Sequence, residues 1–145
     1  MKKRILNIVI IICLGLLTSC KSDNAEGILI EKLLVENQSF SENKQMIELI
    51  KLTLLEDETS FEALLFIPNV DDGEPAYIHG YTIHQIINKL GEEKIIDMLN
   101  HFELKSLKTL NTYIRSGFDY TSAYKDNFSD EFPKLYKYIN EKIKK

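Results

Sequence analysis

The chain has 145 residues, with 18 Lys and Arg against 22 Asp and Glu, which gives a formal net charge of −4. This acidic balance argues against nucleic acid as a partner, because binding it depends on clustered Lys and Arg that neutralise phosphates. The length suits a single domain.

The N-terminus has the form of a secretory signal. Three cations, at positions 2–4, precede a mostly apolar run over 5–17. A helix of that length rises about 20 Å, whereas a hydrocarbon core is about 30 Å thick, so the run is too short to remain as a membrane span. The pattern is that of a segment which directs export and is then removed.

The end of this run carries a further motif. Residues 17–20 read Leu-Thr-Ser-Cys, which resembles the lipobox of bacterial lipoproteins. The resemblance implies that the Cys20 thiol receives a diacylglycerol, that the chain is cut before Cys20, and that the new amino group is acylated. We therefore expect a signal peptide over 1–19, a lipidated cysteine and tether over 20–27, and a single helical domain over 28–145. The alternative is an ordinary signal peptide whose cysteine falls near the cut by chance.

Cleavage changes the charge and the thiol content. The signal segment carries three basic and no acidic residues, so the mature net charge becomes −7. Cys13 leaves with the signal and Cys20 is used by the lipid, so the domain has to fold without disulfides. Lys21 follows the cysteine where an aspartate would resemble an inner-membrane retention signal. An outer-membrane anchor, facing the periplasm or the cell surface, is favoured.

The first half of the domain shows two helix starts. A short helix, or else a strand, is predicted over 28–35. Ser39-Phe40-Ser41-Glu42 has the spacing of a capping box and predicts the start of a long helix with Met46, Ile50 and Leu54 on one face. Thr59-Ser60-Phe61-Glu62 repeats the spacing and predicts a shorter helix that ends near Pro68.

The middle of the chain contains the main predicted loop, because residues 68–75 are turn-forming throughout. Residues 76–83 look strand-like, and the sequence leaves open whether they form a small hairpin. Thr82-Ile83-His84-Gln85 predicts a third helix start, and Gly91 a C-terminal cap for that helix.

The last part of the chain again shows helical periodicity. Helices are predicted over 92–102, from Leu104 to a stop at Gly117, and from a cap at Ser129 or Asp130 to the end, with Pro133 in the first turn. The fold class predicted is all-α, an irregular bundle of about five to seven helices.

The sequence offers little for catalysis. The histidines lack the spacing of a metal site, the loop around Gly73 fails the calcium-loop pattern, and the mature chain has neither a nucleophile elbow nor a free cysteine. We therefore predict no enzyme activity, no metal and no cofactor.

The charge distribution is the most informative feature. The 37 residues from Leu52 to Asn88 contain no Lys or Arg but seven acidic residues. Acidic groups beside aromatic anchors suit a surface that attracts and holds a basic protein. The predicted partner-binding residues are Asp71, Asp72, Glu74, Tyr77, His79 and Tyr81. In an extended segment Tyr77, His79 and Tyr81 would point to one side. The alternative is a solvated acidic loop with the tyrosines packed on the core.

Two function classes follow from these observations. The first is a binding lipoprotein that acts as an inhibitor or immunity protein against a secreted toxin or cell-wall hydrolase, a class it resembles only in general form. The second is a structural accessory lipoprotein of a cell-envelope complex, docking through C-terminal aromatic residues, namely Phe118, Tyr120, Tyr124, Phe128, Tyr136 and Tyr138.

Overall fold

The computed structural model describes residues 24–120 and 127–144. This part of the chain contains a two-stranded hairpin, eight α-helices and one 3₁₀ turn. The hairpin strands are β1 (Asn24–Ala25) and β2 (Ile28–Leu29), and the helices are α1 (Lys32–Glu36), α2 (Phe40–Leu54), α3 (Glu58–Leu64), α4 (Gly73–Leu90), α5 (Glu92–Met98), α6 (Leu104–Tyr120), α7 (Phe128–Glu131) and α8 (Pro133–Ile143), with the 3₁₀ turn over Leu99–His101. The predicted all-α class is confirmed.

Helix α4 is the centre of the bundle. It packs along α6, and the hairpin, α1, α2 and α5 also contact it. Its buried side chains include Ile78, Ile83, Ile86 and Ile87. None of the helices over 24–120 and 127–144 combines the length and the apolar character that a membrane span requires.

Helix α2 begins as its sequence predicts. The Ser39 hydroxyl accepts a hydrogen bond from the Glu42 N–H at 3.3 Å, and the Glu42 carboxylate accepts one from the Ser39 N–H at 2.6 Å. Each side chain thus satisfies a backbone donor that a helix start leaves without a partner. The helix start is therefore encoded locally.

Removing this cap has a defined cost. Ser39→Ala is expected to lower the free energy of unfolding by about 1 kcal/mol, because the Glu42 N–H loses its acceptor. Urea denaturation followed by circular dichroism measures the change. Ser41→Ala, two residues into the same exposed turn, is the matched control and should shift the free energy by less than about 0.5 kcal/mol. Equal losses in the two variants would contradict the assignment of the cap to Ser39.

Helix α3 begins earlier than predicted. Its N-cap is Asp57, whose carboxylate accepts from the Ser60 N–H at 2.6 Å, so the Thr59 spacing is not used as a cap. Asp is among the preferred N-cap residues, which is why it serves here.

The predicted helix start at Thr82 is wrong, and residues 76–83 form no hairpin. Gly73 to Leu90 forms one continuous helix, and Thr82, predicted as a cap, lies inside it and donates its hydroxyl proton to the Ile78 carbonyl at 3.2 Å. Ile78, Thr82 and Ile86 recur every four residues and are all buried. Packing of this face outweighs the strand preference of the local sequence.

Helices α4 and α6 cross at two glycines. A Cβ at Gly80 would lie 2.3 Å from the Tyr113 carbonyl oxygen, and a Cβ at Gly117 would lie 2.4 Å from the Gly80 carbonyl oxygen. Gly117 therefore does not stop α6, as the sequence suggested, but lies buried within it. The two backbones approach so closely because neither position carries a side chain.

The hairpin takes up part of the predicted tether. Asn24 pairs with Leu29 and Ala25 with Ile28, and Ala25 and Ile28 are buried. The Gln85 side chain of α4 accepts from the Leu29 N–H at 2.9 Å and donates to the Leu29 carbonyl at 3.0 Å, which fixes β2 against that helix. The folded body thus includes residues from Asn24, rather than beginning at 28.

Helix α4 ends where the sequence predicts, at Gly91, which has φ +85°.

The N-terminus of α8 is capped by a side chain from another helix. Asn127 caps α7, whereas the N-terminus of α8 is satisfied by Glu92 of α5, which accepts from the Leu135 N–H at 2.7 Å. Neither Ser129 nor Asp130 caps the terminal helix, because α7 ends at Glu131 and Pro133 starts α8.

Candidate functional site

The acidic loop leads directly into α4. Asp72 is the N-cap of that helix and accepts from the Gly73 N–H at 2.7 Å, while Gly73 has φ +63°. Asp71, Asp72 and Glu74 are all exposed. The negative charges therefore gather at the positive end of the α4 dipole and remain open to solvent.

A cleft of about 380 Å³ lies between the start of α4 and the middle of α6. Its α4 side holds three residues predicted from the sequence, Asp71, Asp72 and Tyr77. Its α6 side holds Thr109, Thr112, Tyr113 and Ser116. Sequence reasoning missed this second wall, although Thr109, Thr112 and Ser116 are spaced by three and four residues and so share one helix face.

The polar groups of the α6 wall are arranged as hydrogen-bond acceptors. The Thr112 hydroxyl donates to the Lys108 carbonyl at 3.1 Å, and the Ser116 hydroxyl donates to the Tyr113 carbonyl at 3.1 Å. Because each hydroxyl proton is engaged with the backbone, the oxygen lone pairs remain for a ligand. Together with the carboxylates of Asp71 and Asp72, the lining suits a ligand that donates hydrogen bonds.

Tyr113 is nearly buried at the base of the cleft. Its hydroxyl lies 3.4 Å from the Val70 carbonyl, and its ring packs edge-on against His79 with 4.7 Å between the ring centroids. Burial, with a smaller contribution from the charge of Asp71, raises the pKa of Tyr113 to about 12. The phenol therefore stays neutral at physiological pH and acts as a donor.

A second depression lies on the other side of Asp71. It has a volume of about 500 Å³, and it shares Asp71, Thr109 and Tyr113 with the first. Its remaining lining consists of Leu65, Phe66, Ile67, Pro68 and Asn69. Asp71 thus contributes to the lining of both depressions.

His79 does not belong to this surface. Its side chain is fully buried, and Nε2 lies 3.0 Å from the Leu64 carbonyl at the end of α3. Pro68, four residues beyond Leu64, has no N–H to bond that carbonyl, and the histidine supplies the donor instead. The prediction that His79 contacts a partner is wrong, because the segment is helical and its alternate residues do not share a face.

Glu74 and Tyr81 do not line the cleft, and Tyr81 instead lines a separate depression with Gly27 and Gln85. The Tyr81 ring packs against Tyr120 at 5.9 Å between centroids. Burial, and then the charges of Glu31 and Glu74, raises the pKa of Tyr120. The predicted set is therefore divided: Asp71, Asp72 and Tyr77 meet in the cleft, Glu74 and Tyr81 lie outside its lining, and His79 is in the core. The predicted lipidation site, Cys20, lies outside the described residues.

The C-terminal aromatic residues mostly form a core cluster. Phe118 and Phe128 are buried, and both rings pack against Phe132 at 6.1 and 6.5 Å. Tyr120, Tyr136 and Tyr138 are partly exposed, and Tyr124 lies outside the described residues. The envelope-docking alternative therefore loses two of its proposed anchors to the interior.

One histidine–carboxylate pair, His84 and Glu131, lies outside the cleft lining. His84 is buried, and its Nε2 lies 3.0 Å from a Glu131 carboxylate oxygen, next to Phe118 and Phe132. Within residues 24–120 and 127–144, His, Cys, Asp and Glu form no group of three that could hold a metal ion.

The fold and the cleft define an irregular helical domain with an acidic, acceptor-rich groove at one end of its central helix. Comparisons with protein-family models, with curated proteins and with solved structures find no match for the chain.

Proposed function

We propose that this protein is a lipid-anchored binding protein that inhibits, or gives immunity against, a secreted toxin or cell-wall hydrolase. The observation that carries the proposal is the cleft between α4 and α6, where the exposed carboxylates of Asp71 and Asp72 face a wall of hydroxyl oxygens. The lipobox-like residues 17–20 support the membrane anchor.

The chemistry of the cleft favours a cationic group of the partner. Lys and Arg side chains carry several N–H donors and no acceptor, which complements a lining of carboxylates and of hydroxyls whose protons are already engaged. Tyr77, 43% exposed at the rim, offers an aromatic face to the same cation. A Lys or Arg side chain of the partner enters this cleft.

The charge around the cleft would also govern the rate of association. The 37 residues from Leu52 to Asn88 carry seven acidic groups and no basic one. A negative electrostatic potential of this kind increases the association rate with a basic partner, and added salt screens it. Binding is therefore fast at low ionic strength and slower at high ionic strength.

The first experiment identifies the partner and its activity. The lipidated protein is purified from membranes with bound proteins, and any co-eluting toxin or cell-wall hydrolase is assayed with and without this protein. Inhibition of that activity is the expected result. A partner whose activity is unchanged by saturating protein would contradict an inhibitory role, and a fatty-acid probe that leaves Cys20 unlabelled would contradict the anchor.

The second experiment tests the cleft through charge. The variant Asp71→Lys, Asp72→Asn, Glu74→Lys raises the net charge by five, and Asn at position 72 retains an acceptor for the Gly73 N–H. We expect association with the partner to slow by about tenfold or more at low salt and to lose most of its salt dependence.

The matched control adds the same charge elsewhere. The control variant Glu48→Lys, Asp97→Asn, Glu141→Lys also raises the net charge by five, at exposed positions outside the cleft lining. Stopped-flow association rates at two ionic strengths compare the variants. If both variants slow association equally, only net charge matters and the cleft is not the contact.

A further inference from the structure

Large apolar side chains are exposed to solvent at both ends of helix α2. Phe40, the first residue of the helix, is 87% exposed, and Leu55, which directly follows its last residue, is 78% exposed. Among the described residues the next most exposed large apolar side chain is Leu104, at 46%. Burying either α2 side chain would be favourable, so this face is suited to contact with another surface.

These two side chains belong to one line along the helix. Steps of four, three, four and four residues connect Phe40, Lys44, Ile47, Lys51 and Leu55. This spacing places the five side chains on one side of the helix. The buried residues Met46, Ile50 and Thr53 lie on the other side. We call these five residues the outer face of α2. With a rise of about 1.5 Å per residue, it extends over about 22 Å.

Shallow apolar depressions accompany this face. One of about 450 Å³ is lined by Val35, Phe40 and Ile47 between the two lysines, and another of about 580 Å³ begins on the other side of Phe40. Glu48 borders both, so the face is not uniformly cationic. The methylene stem of a lysine can lie along apolar surface while its ammonium group stays in water, so the two lysines are compatible with a face at a lipid–water interface.

The position of Cys20 relative to α2 indicates which surface this face contacts. Strand β1 begins at Asn24 and contacts α2. Cys20 is four residues before Asn24, so it lies no more than about 14 Å from it. A lipid on Cys20 therefore holds the bilayer surface within reach of α2. Because such a short tether makes docking intramolecular, even a weakly binding face is occupied.

We propose that the outer face of α2 rests on the bilayer surface, with Phe40 and Leu55 in the interface and Lys44 and Lys51 against lipid phosphates. The inference rests on the lipid anchor of the proposed function. None of the five residues lines the acidic cleft. Anionic lipids attract the lysines of α2 and repel Asp71, Asp72 and Glu74, so the cleft is held away from the membrane, towards a soluble partner.

The test uses fluorescence from a single indole. The chain contains no Trp, so Phe40→Trp supplies one reporter. The protein starting at Cys20 keeps every described residue, and Cys20 is its only thiol. Coupling that thiol to a maleimide lipid in vesicles of phosphatidylcholine and phosphatidylglycerol reproduces the anchor, whether or not cells lipidate the protein.

On coupling, the indole at position 40 is expected to shift its emission to the blue and to be quenched about twofold when the lipids are brominated in their acyl chains. Leu104→Trp is the control, since Leu104 is exposed at the start of α6 and outside the outer face of α2. Its emission should be unchanged by the brominated lipids. Circular dichroism verifies that both variants remain helical.

Two results would overturn the proposal. One is quenching at position 40 no greater than that at position 104. The other is unchanged quenching at position 40 when Lys44→Glu and Lys51→Glu are added, since the lysines are proposed to hold the face on anionic lipid. Binding of a partner at the cleft is measured separately, so the orientation and the inhibitory role can fail independently.

Discussion

Replacing Gly80 by Ala is expected to lower the free energy of unfolding by about 3 kcal/mol and Tm by about 10 °C. The added methyl would lie 2.3 Å from the Tyr113 carbonyl oxygen and 2.6 Å from the Gly117 nitrogen. Both atoms are backbone, so α4 and α6 would have to move apart along their contact. Gly117→Ala is expected to have an effect of similar size, since its methyl would meet the Gly80 carbonyl at 2.4 Å.

Whether Gly→Ala lowers or raises the free energy of unfolding distinguishes a packing clash from the effect of helix propensity. In an exposed helix, Gly→Ala stabilises by about 0.5–1 kcal/mol, so propensity alone predicts that both variants gain stability. Gly91→Ala is the control without a clash: its methyl would meet nothing within 4 Å, and its backbone conformation, φ +85° and ψ 155°, alone should cost about 1–3 kcal/mol. Thermal unfolding of the three variants decides between these causes. A higher Tm for Gly80→Ala would show that the helices do not cross closely there.

His79 is expected to make stability depend on pH. Burial lowers the pKa of His79 from its ordinary 6.5 to about 4, despite the hydrogen bond to the Leu64 carbonyl. Above pH 6.5 the ring is neutral in both folded and unfolded chains. Between pH 6.5 and about 4 only the unfolded chain takes up the proton, so stability falls as pH falls, by about 3 kcal/mol in total.

The measurement compares pH profiles of urea unfolding. His79→Gln keeps a side-chain N–H for the Leu64 carbonyl but cannot titrate, so its stability should fall about 3 kcal/mol less than that of the unchanged protein between neutral pH and about pH 4. His101→Gln is the control, because His101 is exposed, and its profile should follow that of the unchanged protein. Parallel profiles for all three proteins would mean that the ring at position 79 takes up its proton at the same pH in the folded and unfolded chains, which would contradict a lowered pKa.

The candidate site was half predictable from the sequence. Asp71, Asp72 and Tyr77 could be chosen because charge runs and aromatic neighbours are visible along the chain. Thr109, Thr112 and Ser116 lie more than thirty residues further on, and their spacing is also that of an ordinary solvated helix face. Only the packing of α6 on α4 shows that the two groups form one cleft.

His79 was assigned to the wrong environment for a related reason. The assignment depended on an extended segment over 76–83, in which alternate residues share a face. Once α4 is one helix, residues two apart lie about 200° apart on it, so His79 faces the core while Tyr77 faces the cleft.

The sequence by itself determined the all-α class, the capping box at Ser39 and Glu42, and the end of α4 at Gly91, because each depends on residues within a few positions of one another. Only the tertiary structure decided that 73–90 is a single helix, that α4 and α6 cross at Gly80 and Gly117, and that Glu92 caps α8. These features are stabilised by contacts between residues dozens of positions apart. Such contacts arise only when the whole bundle packs, and no local pattern specifies which groups will meet.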